Sequence, residues 1–185
     1  MGTDIMPIAN HSIIFKKKSY SKLAKEIRLI LDKEKLQIDR LYNLSIDKCQ
    51  DDIDQKDWKC YIQDNEVGTG KTLEFSWNSE EHFDIDKNKI TFFSPTYRYW
   101  EWFESMEANQ LGKVKAYMFF IVKLLGGDRI IYLADNSHPL EEYLYFKGSF
   151  EEIEQELLKK YGPPKSSYQE VVANFRSSYY IDRIL

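Results

Sequence analysis

Cysteine is scarce in this chain, with only Cys49 and Cys60 among 185 residues. Two cysteines cannot build a disulfide scaffold, and neither has a Cys-x-x-Cys or histidine partner at zinc spacing, so both are expected to be reduced thiols of a cytoplasmic protein. Long apolar runs are also missing. The longest, Ala116 to Val122, is bracketed by Lys115 and Lys123 and falls far short of the roughly twenty residues of a membrane span. Met1 to Pro7 lacks a positively charged region followed by a sustained apolar one, so no signal peptide is expected. Nor is there a basic excess. The formal net charge is -4, which argues against a nucleic-acid partner, since phosphate binding draws on clustered Lys and Arg. Lys16, Lys17 and Lys18 form the one dense basic run, read as a solvated strand end. No sustained repeat, low-complexity tract or composition break divides the chain.

What is present is an ordinary globular composition, 43% apolar and 30% charged, in a length that suits one domain with a sizeable core. Ser12 to Phe15 reads as a first short strand. Leu23, Ile27, Ile30, Leu31, Ile38 and Leu41 recur at mostly helical spacing and predict an amphipathic helix within Ser19 to Leu41. Asp47 to Asp57 has no apolar period and should be an exposed acidic loop or polar helix end. Trp58–Gln63, Thr72–Trp77 and Lys89–Ser94 predict an antiparallel meander, with a glycine turn at 66–70 and a polar connection at 78–88. An aromatic helix, Tyr97 to Met106, follows with Thr96 as N-cap, and then a helix from Ala108 to Leu125 that buries Leu111, Val114, Met118, Ile121 and Leu125. Gly126-Gly127 supplies a left-handed stop, and strands are expected at Arg129–Ala134 and Tyr143–Lys147. Ser149 and Glu152 stand at capping-box spacing before a helix closed by Gly162-Pro163-Pro164. A short helix and a strand at Tyr179–Ile184 end the chain. The predicted class is α+β, a mainly antiparallel sheet packed against several amphipathic helices in a single compact domain.

Motifs for chemistry fail on geometry. Gly68-Thr69-Gly70-Lys71-Thr72 lacks the first Walker glycine, having Asn65 there, and a strand rather than a helix is expected after the lysine. Asp84, Asp86 and Asn88 match the start of a calcium loop, but Lys89 occupies the glycine position and Pro95 the bidentate carboxylate, so a turn is expected. His11, His82 and His138 have no histidine or cysteine at ligand spacing, though a zinc site could assemble from distant residues. Asp135, Ser137 and His138 are too close in sequence for a hydrolytic triad. No cofactor, metal or catalytic residue is assigned.

The densest feature is Phe92 to Phe103, seven aromatics in twelve residues, which marks the core centre or a recognition surface beside it. An α+β plan, abundant Tyr and Trp, the segment Leu124 to Leu133 and the capped helix ending Tyr161-Gly162-Pro163 resemble the small acidic immunity proteins that bacteria make against toxins of neighbouring cells. The resemblance covers the last half of the chain. It implies a protein without catalysis that occludes the active site of a cognate protein toxin. Tight interfaces use Tyr, Trp and Arg anchors, and an acidic rim speeds capture of a basic partner. The partner-binding candidates are Asp51, Asp52, Asp54, Asp57, Glu80, Glu81, Tyr97, Trp100 and Glu101. The alternative is an enzyme or small-ligand-binding protein with a cleft near the aromatic helix 97–106 and the loop 135–139. A deep pocket joining Tyr97, Trp100, Glu101 and His138 would favour it.

Overall fold

The computed structural model describes residues 5–15, 18–33, 59–64, 71–76, 82–93, 108–134, 148–174 and 177–185. Seven strands form one sheet: β1 (Ile5–Ala9), β2 (Lys59–Asp64), β3 (Lys71–Ser76), β4 (His82–Ile85), β5 (Ile90–Phe93), β6 (Arg129–Ala134) and β7 (Tyr180–Arg183). Their order is β2-β3-β4-β5-β1-β6-β7, and every neighbouring pair is antiparallel. Four helices are described: α1 (Tyr20–Asp32), α2 (Ala108–Leu124), α3 (Phe150–Tyr161) and α4 (Tyr168–Ala173). The class is α+β, as the sequence suggests.

Side chains alternate between the faces of a strand, and register carries that alternation across the sheet. Leu73, Phe75, Phe83, Ile85, Ile90 and Phe92 share one face with Ala9, Ile130 and Tyr132. They form one buried cluster with Leu23, Ile27 and Leu31 of α1 and with Met118, Ile121, Val122 and Leu125. On the opposite face Met6, Ile8, Ile131 and Leu133 meet Phe150, Ile153 and Leu157 of α3 together with Tyr179. α3 begins with the expected capping box, in which the Ser149 hydroxyl accepts from Glu152 N and the Glu152 carboxylate accepts from Ser149 N.

The first strand corrects the sequence reading. Residues 12–15 are not a strand; Ile5–Ala9 is, and it lies inside the sheet despite Pro7. Ser12 N and Oγ both donate to the Leu125 carbonyl, and Ile13 N donates to His11 Nδ1, so polar groups near this run are satisfied without a ladder. Pro7 is tolerated for a positional reason. Asn10 N donates to Arg129 O, toward β6, so alternate residues place the nitrogen of Pro7 on the β5 side. There the β1–β5 register stops at Ile8↔Thr91, one residue short of Pro7. No ladder donor is lost.

A second correction concerns 78–88, expected to be a polar connection. His82–Ile85 is strand β4, paired to β3 and β5. The meander therefore has one more strand than the sequence suggested. The turn after it is the expected one: the Asp86 side chain accepts from Asn88 N and Lys89 N.

Other expectations hold within the described residues. α2 is terminated by Gly126 at φ 75, β6 spans the predicted residues, and Met118, Ile121 and Leu125 are buried. The side chains of Leu111 and Val114, the helix residues after 33, the aromatic helix 97–106 and the strand 143–147 lie outside the described residues. Of the basic run expected at a solvated strand end, Lys16 and Lys17 lie outside the described residues, and Lys18 instead follows a stretch without strand structure, just before α1, and pairs with Glu26.

Gly127 has a separate task. A Cβ there would stand 2.1 Å from the Asn10 carbonyl oxygen, while the Asn10 side chain accepts from Asp128 N and Arg129 N and donates to the Asp128 carboxylate. Gly127→Ala should thus push apart the joint of β1 and β6. The expected cost is about 1–3 kcal/mol, the usual range for overpacking, read as a lower urea midpoint at unchanged slope. Unchanged stability would show that the joint yields freely.

Candidate functional site

The face of the sheet that α3 covers over β1 and β6 turns polar over β3 and β4. Phe75 and Phe83 pair on the core face, so their neighbours Glu74, His82 and Asp84 must project from the other. Register sets Glu74 directly opposite Asp84 and His82 opposite Ser76. One ligand atom of each of Glu74, His82 and Asp84 can be chosen so that all three lie within 4.8 Å of one another. All three residues are half-buried.

Their electrostatics are unusual for a sheet surface. Asp84 Oδ1 is buried and accepts no hydrogen bond. Burial, followed by the negative charges of Glu74 and Asp86, pushes the Asp84 carboxyl up to about 7. His82 stacks on Phe93, with ring centroids 4.8 Å apart and planes 14° from parallel, which fixes the imidazole plane. Burial lowers its pKa, against a raising influence from Glu74, so the ring is neutral at pH 7 and offers a nitrogen lone pair. A neutral imidazole beside two carboxyl groups can hold a cation, or share protons among its members.

Other chemistry-bearing groups have structural roles. His11 Nδ1 accepts from Ile13 N, so Nε2 carries the proton that reaches the Asp86 carbonyl at 2.9 Å. That tautomer is neutral, and burial lowers its pKa. Cys60 is free, and burial raises its thiol to about 11, which keeps it protonated and poorly nucleophilic. Lys71 opens strand β3; the helix that a phosphate-binding loop requires after its lysine is not there.

Among the described residues, β2 is the last strand at one end of the sheet. Tyr61 is 52% and Ile62 42% exposed on this edge strand. The acidic segment Asp47 to Asp57 ends two residues before the strand begins. All nine partner-binding candidates, Asp51, Asp52, Asp54, Asp57, Glu80, Glu81, Tyr97, Trp100 and Glu101, lie outside the described residues, as does the loop 135–139. The Glu74–His82–Asp84 group was not nominated from sequence. The available signal was the alternation His82-Phe83-Asp84-Ile85, which places His82 and Asp84 on one face once the segment is taken as a strand. Among the described residues no helix is long and apolar enough to cross a membrane. No family model, curated protein or solved structure matches the chain.

Proposed function

We propose that this chain is a non-catalytic protein-binding module, most specifically an immunity protein that binds and neutralises a bacterial toxin in the cytoplasm. It would act as a single compact domain with its amphipathic helices packed on the sheet. The observation that carries the reading is the edge strand β2, which presents Tyr61 and Ile62 to solvent at the end of the sheet. An edge strand offers backbone groups to a partner, and an exposed tyrosine offers a large anchor at little entropic cost. Asp51, Asp52, Asp54 and Asp57 precede that edge in sequence and would steer a basic toxin toward it. Glu80 and Glu81, which follow β3 in sequence, the aromatic candidates Tyr97 and Trp100, and the acidic candidate Glu101 complete the proposed interface.

The test uses the product of a toxin gene adjacent to the gene for this chain. Tyr61→Ala should weaken the purified complex by roughly 30-fold, the equivalent of a 2 kcal/mol hot spot. Replacing the four aspartates with asparagine should slow association and flatten its salt dependence. Absence of a complex with that product, or an affinity indifferent to Tyr61, would overturn the reading. The alternative of an enzyme or small-ligand-binding protein draws its support from Glu74, His82 and Asp84 rather than from the segments 97–106 and 135–139.

A further inference from the structure

We propose that Glu74, His82 and Asp84 form a three-ligand site for one divalent transition-metal ion of the zinc class. The inference is independent of the protein-binding reading. It starts from register: Glu74 and Asp84 are direct partners on β3 and β4, and His82 precedes Asp84 by two residues on the same face. The hairpin therefore sets three ligand types side by side on rigid backbone. Their ligand atoms lie within 4.8 Å of one another. Tetrahedral zinc with bonds of about 2.1 Å needs ligand atoms about 3.4 Å apart, so side-chain rotations that draw them in by roughly 1 Å complete the shell.

A second observation separates this group from an ordinary acidic patch. Asp84 Oδ1 is shielded from solvent and has no hydrogen-bond donor, although native proteins satisfy most buried polar atoms. A cation between the strands would satisfy that oxygen and neutralise two carboxylates that face each other. The Phe93 ring stacked on His82 holds the imidazole plane without engaging its nitrogens. Imidazole among the ligands favours zinc, copper, iron or nickel over calcium or magnesium, which prefer all-oxygen shells. Three protein ligands leave a coordination position open to water or a substrate oxygen.

The probe is the metal alone. The full chain, stripped with a chelator, is titrated calorimetrically with zinc chloride, and the cobalt form is examined for visible ligand-field absorption. One saturable site is expected. His82→Ala and Asp84→Asn should each weaken it by at least tenfold and abolish the cobalt spectrum, while the control Glu156→Gln, a half-buried residue of α3, leaves both unchanged. Asp84→Asn relieves the orphaned charge and is expected to fold, so a lost signal in that variant reports ligand loss. No saturable zinc heat, or binding insensitive to both His82 and Asp84, would overturn the proposal, the latter by placing the ion elsewhere.

Discussion

In the presence of a chelator, Asp84→Asn should be more stable than the parent chain at pH 8, by on the order of 4 kcal/mol, with the advantage fading as pH falls toward 4. The native carboxyl, pushed up to about 7 from an ordinary 3.8, holds a proton that the unfolded chain has already released. Stability contributed by this group is complete below the unfolded pKa and is lost as pH rises through the folded one. The difference of about 3 units corresponds to roughly 4 kcal/mol. Asparagine reproduces the neutral acid without titrating, and its amide can donate to Glu74 across the strand pair. Urea unfolding at pH 4, 5.5, 7 and 8 measures the effect. Equal stability of the two proteins at pH 8 would mean that Asp84 ionises in the folded state at little cost. Saturating zinc should narrow the gap by stabilising the parent more, since a ligand that binds the native state raises its stability by mass action, about 1.4 kcal/mol for each tenfold of affinity that the variant has lost.

Cost at one residue is consistent with a group retained for a ligand, and it explains why the site was hard to read. Local signals served well where the determining contacts are local. Ser149 and Glu152 bond each other across three residues, Gly126 needs its own positive φ, and the run of β6 is apolar because it is buried on both faces. β1 was missed because Pro7 disqualifies a central strand unless its nitrogen falls just beyond a ladder, and that is a fact of pairing with β5. β4 was missed because Asp84, Asp86 and Asn88 look like one polar turn. Only the pairing with β3 divides them, sending Asp84 onto the sheet and leaving Asp86 to cap the turn. The proposed metal site inherits that failure, since Glu74 meets His82 and Asp84 through register alone. Pattern reading can nominate a strand; it cannot choose the neighbour opposite.

The second large effect concerns the turn that holds this register. Lys89, the residue that spoils the calcium-loop pattern, is buried with 3% of its side chain exposed. It meets Asp86 Oδ2 at 3.1 Å and the Gly148 carbonyl at 3.5 Å. Asn88 O also accepts from Phe150 N, so the β4–β5 turn is tied to the start of α3 by both residues. Asp86→Ala should cost about 3–5 kcal/mol, because it strands a buried ammonium and removes the acceptor of two turn amides. Lys89→Met should cost far less, about 1 kcal/mol or under, since the stem is replaced by an apolar chain of similar shape and the half-buried Asp86 keeps its amide bonds. The double variant should recover much of the loss, giving a coupling energy of about 1–3 kcal/mol in a double-mutant cycle. Comparable losses for the two single variants would mean that the ion pair itself, rather than the unpaired lysine, dominates. Zinc affinity gives an independent readout: Asp86→Ala loosens the turn that positions Asp84 and should weaken binding, whereas Lys89→Met, which leaves the Asp86 cap intact, should spare it.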